Sequence, residues 1–329
     1  GRDLHIEGCG SEATVQNARR MAEIWESWIP YHFSSINVVF KSTSKSLPEK
    51  ANRPALCFYS GGVDSTHAIL QRHLDGKKQA LLTVHGMDYK VEDSDRFDQF
   101  KSKTDKFSKL VGIERIFFRT NAYSVYNKNK INLPNNHVSH IFALGGAAFL
   151  FSEQYGDFFI AADSRTDQQF ITYPWGSNST TNIYFDDGSV KMVTLDDHLT
   201  RTEKIPLILS SVPALDSVSF CTSYAARPNN CGSCEKCMRT KLMFFAGTGE
   251  IPEIFINKMI PQDWYLIFDM KNNFHKAFLL EIIVSARGNG RLKDLPGWQL
   301  AYSLAKEYPG KDSERIGFIK RAYRKLRGR

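Results

Sequence analysis

Two kinds of segment alternate along the middle of the chain: short apolar runs, which are typical of strands, and amphipathic segments, which are typical of helices. Short apolar runs, each followed by a turn and an amphipathic segment, recur from Ala55 to Ala162. Apolar runs of about four to eight residues are typical of buried strands, and apolar positions three and four residues apart are typical of helices. Strands that alternate with helices predict a parallel, doubly wound α/β sheet of the Rossmann-like type. The predicted strands are Ala55–Tyr59, Gln79–His85, Arg115–Arg119 and Phe158–Ala162, and the predicted helices are Asp64–His73, Arg96–Val111 and Val138–Tyr155.

The segments on either side of this alternation have different patterns. Apolar residues at three- and four-residue steps predict a helix over Glu12–Ile29, and a short apolar run predicts a strand over Ile36–Phe40. The stretch Lys41–Pro54 is rich in Ser, Lys and Pro and is predicted to be a linker. The polar stretch Arg165–Asp197 is predicted to be a loop, and Thr200–Leu209 a short helix before a mostly helical C-terminal third.

We therefore expect four parts in the chain. They are an N-terminal helix–strand extension at 1–50, a phosphate-binding α/β domain at 51–215, a cysteine-rich metal module at 216–250 and a basic helical region at 251–329. Composition agrees with a folded globular protein, since 42% of the 329 residues are hydrophobic and 24% are charged.

The net charge of +8 comes from the C-terminal stretch Ala286–Arg329, and the rest of the chain is neutral overall. Within it, Lys320–Arg327 mixes basic residues with aromatic and apolar ones. That segment could contact RNA or an acidic protein partner. We favour the plainer interpretation, a solvated helix near the chain end, and so we do not favour a nucleic-acid partner.

No feature of the sequence predicts contact with a membrane. The longest apolar run, Ile141–Phe151, falls short of the roughly 18 residues that span a bilayer. Gly1–Gly10 lacks the apolar segment of a signal peptide. Six cysteines are too few for a disulfide scaffold, and four of them crowd between Cys221 and Cys237. This clustering indicates metal binding in a reducing compartment, so we expect a cytoplasmic protein.

A glycine-rich loop carries the clearest chemistry. The segment Ser60-Gly61-Gly62-Val63-Asp64-Ser65 follows a predicted strand and opens a predicted helix. Glycines let the backbone turn tightly beside an oxyanion, and the helix N-terminus favours phosphate. Asp64 could cap the helix or hold Mg²⁺ against the phosphates. The chain has no Walker loop with its lysine at this place, which argues against a kinase or motor that acts on the γ-phosphate.

The clustered cysteines predict a metal site. Cys221, Cys231, Cys234 and Cys237 have the spacing C-x9-C-x2-C-x2-C, in which a tight knuckle and a distant fourth thiolate can enclose one ion. Four cysteines with no open position are typical of structural zinc, which we favour, while an iron–sulfur cluster is the competing interpretation. Cys57 lies on a predicted core strand and is expected to be a small buried apolar residue.

The two motifs together resemble the 7-cyano-7-deazaguanine synthase (QueC-like) family of PP-loop ATP pyrophosphatases. All six positions of the Ser60–Ser65 loop match the family's SGGxDS pattern, and Asn230–Cys237 matches its cysteine pattern. The resemblance covers about Ala55–Gly247 in motif order. It implies a loop that grips the pyrophosphate of ATP, with Mg²⁺, and attack on the α-phosphate that releases AMP and pyrophosphate.

The resemblance implies that a 7-deazaguanine carboxylate is adenylated by ATP and that ammonia displaces AMP to form the amide. A second adenylation then dehydrates the amide to the nitrile. The chain departs from the family in three places: His85-Gly86-Met87-Asp88 stands where members typically have Gly-Gln, an N-terminal extension precedes the loop, and a basic tail follows the cysteines. Divergent members from bacterial anti-phage systems are thought to join a deazaguanine to a protein amine, and the extensions suit that variant. A protein acceptor, a defence partner and a homodimer are therefore also expected as possible partners.

Several other residues are candidates for the site, each with a plainer alternative. Arg201 and Lys204 share a helix face and could hold the α-phosphate or a carboxylate, or be a solvated face. Asp163 and Arg165 end a strand and could bind the edge of a purine-like ring, or form an ordinary turn. The other candidates are His85 and Asp88, beside adenine or metal, and Tyr173-Pro174-Trp175-Gly176, which could stack on a heterocycle or plug the core.

We therefore expect an ATP-dependent, AMP-forming ligase in which Asp64, Ser65, Arg201 and Lys204 act at the reacting centre. The alternatives are a tRNA-modifying PP-loop enzyme and a nucleotide-sensing defence subunit without turnover. We further expect Asp64→Ala to abolish pyrophosphate release and to leave the fold intact.

Overall fold

The chain has an α/β architecture built on a five-stranded parallel sheet. The computed structural model describes residues 2–45, 53–122, 135–172 and 174–306. The strands are β1 (Leu4–Ser11), β2 (Val38–Ser44), β3 (Ala55–Phe58), β4 (Gln79–His85), β5 (Arg115–Arg119), β6 (Phe158–Ala161) and β7 (Met192–Leu195). The α-helices are α1 (Glu12–Trp28), α2 (Val63–Leu74), α3 (Ser94–Val111), α4 (Asn135–Phe149), α5 (Thr166–Thr172), α6 (Ser179–Asn182), α7 (Arg201–Leu209), α8 (Val212–Ser217), α9 (Glu235–Thr248), α10 (Asn273–Gly288) and α11 (Trp298–Lys306).

The strand order in the main sheet is β5–β4–β3–β6–β7, and every neighbouring pair is parallel. The chain runs outward from β3 through β4 to β5 and then returns to the other side of β3 through β6 and β7. This reversal leaves a crevice at the carboxyl ends of β3 and β6, which is where such sheets bind ligands. The predicted α/β class with a parallel sheet is confirmed, and the strand order is compatible with a Rossmann-like fold.

The N-terminal part contains a strand that the sequence analysis missed. β1 pairs in parallel with β2 in a separate two-stranded sheet, and α1 connects the two strands. Half of the residues of β1 are exposed and the strand includes Gly8 and Gly10, so it has no buried apolar run to reveal it. β2 continues to Ser44, so the prediction of a linker starting at Lys41 is wrong for its first four residues.

The prediction of a loop over Arg165–Asp197 is also wrong. This stretch contains α5, α6 and the edge strand β7, which pairs with β6 from Phe158 to Ala161. The predicted helix Val138–Tyr155 ends earlier, at Phe149, and is followed by turns. The short helix α8, between α7 and the cysteines, was not predicted.

One large hydrophobic core joins the sheet to the cysteine module and to the C-terminal helices. It includes Tyr59 after β3, Cys237 on α9 and Ile282 on α10, all buried. The predicted boundaries near residues 215 and 250 therefore cross a shared core.

Among the described residues, no helix has the length and apolar character needed to cross a membrane.

The N-terminal extension packs against the flank of the main sheet. Trp25 of α1 lies in a hydrophobic cluster with Val138 of α4, and Phe185 packs against the same cluster. The Asn17 side chain donates to the carbonyl oxygen of Asp186 at 2.8 Å. The described part of the extension contributes no residue to the cavity at the carboxyl ends of the strands. It therefore buttresses the β7 side of the fold.

Candidate functional site

A cavity of about 650 Å³ opens at the carboxyl ends of the strands, at the point where the strand order reverses. Its volume is within the range of pockets that bind small molecules and cofactors. Ser60, Gly62, Val63, Asp64 and Ser65 of the glycine-rich loop all line it. The other charged residues that line it are Asp88, Asp163, Arg201, Lys236 and Arg239.

The glycine-rich loop is held tightly by the residues around it. Gly61 has φ +73°, and a Cβ there would lie 2.6 Å from the Phe100 ring. Its carbonyl oxygen accepts from the Ser219 amide at 2.7 Å, which ties the loop to the segment before the cysteines. The hydroxyls of Ser60 and Ser65 lie 3.1 Å apart across the loop. Close packing explains why glycine is required at position 61.

Helix α2 starts at the loop with an N-terminus that no side chain caps. Its N-cap is Gly62, and among the described residues no side chain accepts from its first-turn amides. The prediction that Asp64 might cap this helix is therefore wrong. An uncapped N-terminus retains a positive partial charge, which favours an anion at this end of the cavity.

Asp64 instead forms a buried ion-pair cluster with two cations of α7. Arg201 Nε donates to Asp64 Oδ2 at 3.0 Å, and Lys204 Nζ donates to Asp64 Oδ1 at 3.1 Å. Burial alone would raise the pKa of Asp64, but the charges of Arg201 and Lys204 outweigh it and lower the pKa to about 2. Asp64 is therefore ionised at neutral pH, and both of its oxygens are engaged.

The start of α7 fixes both cations. Thr200 and Glu203 form a capping box, which sets the first turn so that Arg201 and Lys204 share one face. Lys204 is fully buried and also donates to the Ala162 carbonyl oxygen at 2.7 Å, at the end of β6. The alternative of a solvated helix face is wrong, because both residues are buried. Arg201 lines the cavity, whereas Lys204 does not line it and contacts the lining residue Asp64.

A second wall of the cavity combines a carboxylate with aromatic rings. Trp175 Nε1 donates to Asp163 Oδ2 at 2.8 Å. The Trp175 ring lies 5.1 Å from the His140 ring and 4.6 Å from the Phe274 ring. Asp163, Trp175 and His140 all line the cavity, so this wall offers aromatic rings beside a carboxylate. Tyr173 of the predicted aromatic motif lies outside the described residues.

Besides Gly61 and Lys204, two further predicted site residues do not line the cavity. Arg165 is 38% exposed at its side chain and pairs with Asp167 at 2.6 Å on the surface. The His85 ring is buried and stacks on Phe97 with a centroid distance of 4.1 Å. His85 Nε2 lies 2.8 Å from the Lys90 carbonyl oxygen. Both residues therefore contribute to structure near the site, while Asp88, three residues after His85, lines the cavity.

The sequence analysis missed two cations that α9 brings to the cavity. Lys236 and Arg239 lie on this helix, between and after the last two cysteines. Their spacing of three residues places them on one helix face, and that pattern could have been noticed. The cysteine spacing predicts only a metal module here, and it does not show that the helix also faces the glycine-rich loop.

The four predicted cysteines lie together, and their sulfur atoms are all within 4.8 Å of one another. Zinc binds thiolates at about 2.3 Å, so four sulfurs in a tetrahedron are about 3.8 Å apart. The sulfurs of Cys221 and Cys234 have that spacing, at 3.8 Å. The Cys237 thiol hydrogen-bonds to Cys234 and lowers the pKa of Cys234. The cluster therefore has the donor set and spacing to hold one metal ion such as zinc.

The backbone around the cysteines is shaped to fit this cluster. The amides of Ser233 and Cys234 donate to the Cys231 sulfur at 3.4 and 3.2 Å. Gly232 has φ +74°, and a Cβ there would lie 1.9 Å from the Asn257 carbonyl oxygen. The buried Lys241 ammonium donates to the carbonyl oxygens of Gly232 and Asn257 at 2.9 and 3.1 Å. These bonds clamp the knuckle against the chain that follows α9.

Comparison with known protein families, curated proteins and solved structures finds no match for the chain. The fold and the site therefore define the class of protein. It is an α/β protein with a parallel sheet compatible with a Rossmann-like fold, a charged cavity at the reversal of strand order and a four-cysteine cluster able to hold metal.

Proposed function

We propose that the protein is an ATP-dependent, AMP-forming ligase that adenylates the carboxylate of a 7-deazaguanine. One observation carries the proposal: the Ser-Gly-Gly-Val-Asp-Ser loop starts the uncapped helix α2 and opens into a cavity at the reversal of strand order. A loop with these features favours pyrophosphate. The motif resemblance supplies the reaction type, and the four cysteines are proposed to bind structural zinc.

In this proposal the residues of the loop bind the pyrophosphate end of ATP. Arg201 faces the α-phosphate, where it stabilises the charge that develops as the carboxylate oxygen attacks phosphorus and pyrophosphate leaves. Asp64 holds Arg201 and Lys204 in place and acts through them. Mg²⁺, which accompanies ATP in such enzymes, would be held by the phosphates and by the Asp88 carboxylate, since both Asp64 oxygens are engaged.

The second wall suits the heterocycle. A carboxylate accepts from the ring N–H and the exocyclic amine of a guanine-like base, and Asp163 has that chemistry. Trp175 and His140 provide flat surfaces for stacking. After adenylation, an amine displaces AMP and forms an amide. That amine is ammonia, or a protein amine in an anti-phage variant, and product mass distinguishes the two.

The test is release of AMP and pyrophosphate from ATP, measured with and without 7-carboxy-7-deazaguanine and with product mass. We expect the compound to stimulate AMP release and an adenylate, amide or nitrile to form. The Ser60→Ala, Ser65→Ala double variant should lose this activity, whereas Ser102→Ala, on the exposed surface of α3, should keep it.

No stimulation by the deazaguanine would overturn the substrate assignment. Stimulation by tRNA instead would favour the alternative of a tRNA-modifying enzyme. ATP binding without release of pyrophosphate under any of these conditions would favour a nucleotide sensor.

A further inference from the structure

The helix that starts at the cysteine cluster also forms one wall of the cavity. Cys234 is the N-cap of α9 and Cys237 lies in its first turn, so the cluster fixes where the helix begins and how it is rotated. Lys236, Arg239 and Thr240 of this helix line the cavity. The two cations are one helical turn apart on the same face.

Arg239 carries a buried charge that the protein does not fully match. The residue is only 8% exposed, and its Nε has no hydrogen-bond partner among the described residues. Its nearest carboxylate oxygen belongs to the half-exposed Glu235, at 3.5 Å. The guanidinium lies 3.8 Å from the centroid of the Phe278 ring. Burial lowers the pKa of Arg239 to about 10, and Arg201 adds to this effect, so the group stays charged at neutral pH.

Arg201 provides the comparison within the same wall. Its guanidinium lies 5.4 Å from the centroid of the same Phe278 ring, yet Asp64 matches it with two hydrogen bonds to one oxygen and one to the other. A buried cation without such a carboxylate is costly unless an anion joins it. The cavity therefore contains one guanidinium fully matched by a buried carboxylate and, beside it, one whose ion pair is the 3.5 Å contact with the half-exposed Glu235.

Lys236 lies at the other end of this wall, beside the glycine-rich loop. It lines both the cavity and a small recess that also contains Ser60 and Gly62. No carboxylate of the described residues pairs with its ammonium group. A cation in the first turn of a helix is opposed by the helix dipole, so local stability does not explain its position. An anion bound in the recess would explain why a lysine lies there.

We propose that α9 is the phosphate-binding wall of the cavity, with Lys236 on the pyrophosphate end of the nucleotide and Arg239 on its α-phosphate. Lys236 then supplies, from the cysteine module, the positive charge that the loop itself lacks. The assignment of the two ends follows from their neighbours, since Lys236 adjoins Ser60 and Gly62 whereas Arg239 adjoins Arg201. This inference rests on the proposed nucleotide site.

The test is calorimetric binding of two probes, inorganic pyrophosphate and AMP, to the full chain. Removing a charged hydrogen-bond donor weakens binding by about 10- to 100-fold. We expect Lys236→Met to lose that much affinity for pyrophosphate and little for AMP. Arg239→Met should show the opposite pattern, and Arg239→Lys should recover part of the AMP affinity.

Thermal unfolding separates binding from structure. Arg239→Met removes a poorly matched buried charge, so we expect its melting temperature to fall by no more than about 4 °C. Lys258→Met, which changes an exposed lysine paired with Glu253, is the matched control and should bind both probes normally. If the wild-type protein binds neither probe, the nucleotide site and this inference both fail. If it binds both and the variants bind them equally well, only the inference about α9 is overturned, as it would be if Arg239→Met unfolded and Arg239→Lys restored folding without AMP binding.

Discussion

Asp64 shows how a carboxylate of the glycine-rich loop can be a buried counter-ion of the fold. It lies between Arg201 and Lys204, two cations that are almost or completely buried. Without Asp64, two positive charges would remain in the interior, and breaking a buried pair in this way costs about 3–5 kcal/mol. The residue that the motif marks as part of a phosphate loop is therefore also a structural counter-ion.

The structure consequently changes the expectation for Asp64→Ala. We still expect the variant to lose pyrophosphate release, but the free energy of unfolding should also fall by about 3–5 kcal/mol. Urea unfolding measures this change. The double variant Asp64→Ala, Lys204→Met is the control and should regain part of the stability, because it leaves only one unmatched cation. Equal stability of Asp64→Ala and the wild type would contradict the ion-pair role.

The same pair predicts a pH dependence. The pKa of Asp64 is lowered from 3.8 to about 2 on folding, so its ionised form stabilises the folded state. That contribution is complete above about pH 4 and is lost as the pH falls through about 2, because the carboxyl is then protonated in both states. The stability difference between the wild type and Asp64→Asn should therefore shrink over this window by about 2 kcal/mol.

At the scale of elements, the strands and helices that could be predicted are those whose buried residues form a recognisable apolar pattern in the sequence. β4 has the predicted bounds Gln79–His85 because its residues are almost all buried. β1 was missed since half of its residues are exposed and only Ser11 is fully buried. β7 is four residues long and is surrounded by polar turns, so its apolar run did not stand out.

In the candidate site, too, the residues that form a local sequence pattern could be predicted and those brought together only by the fold could not. The glycine-rich loop and the cysteines are local patterns, so their residues could be identified without a structure. The partners of Asp64 are 137 and 140 residues away in sequence, and only the tertiary fold brings them together. Lys236 and Arg239 were missed for the same reason, because no local pattern shows which surface α9 faces.

The cysteine knuckle depends on a lysine that is not a metal ligand. Lys241 is fully buried and donates to three carbonyl oxygens, those of Gly232, Asn257 and Met259. Burial lowers the pKa of its ammonium group, while Cys237 and Cys231 act in the opposite direction. The positive charge of Lys241 thus lies where it can balance the negative charge of the thiolates, and its hydrogen bonds stabilise the conformation of the knuckle loop.

We therefore expect Lys241→Met to weaken metal binding by about 10- to 100-fold, the usual effect of losing a group that orients metal ligands. Competition for zinc with a chromophoric chelator measures it. The Lys258→Met variant serves again as the control, because Lys258 is exposed and lies on the same segment as Asn257 and Met259. An unchanged zinc affinity in Lys241→Met would show that the clamp does not support the cluster.

At the scale of the whole molecule, the cysteine module and the cavity are mechanically one unit. Cys221 and Cys237 belong to the same hydrophobic core as Tyr59 and Val63, which flank the glycine-rich loop. The Ser219 amide, two residues before Cys221, donates to the Gly61 carbonyl oxygen at 2.7 Å. Arg227 donates to carbonyl oxygens of both Cys221 and Asp88. If the cysteine segment loses its ordered structure, the glycine-rich loop should therefore lose these contacts as well.

This coupling predicts that metal binding and nucleotide binding are lost together. Cys231 belongs to the cysteine cluster and does not line the cavity, so Cys231→Ser changes the cluster without removing a residue of the cavity wall. We expect the variant to lose bound zinc, measured by elemental analysis, and to bind ATP at least about 10-fold more weakly, because α9 and the Ser219 segment lose their anchor. Cys9→Ser changes an exposed cysteine on β1 and should affect neither property. Normal ATP affinity in a zinc-free Cys231→Ser protein would show that the loop and the cavity wall hold their shape without the cluster, and the module would then serve only local folding.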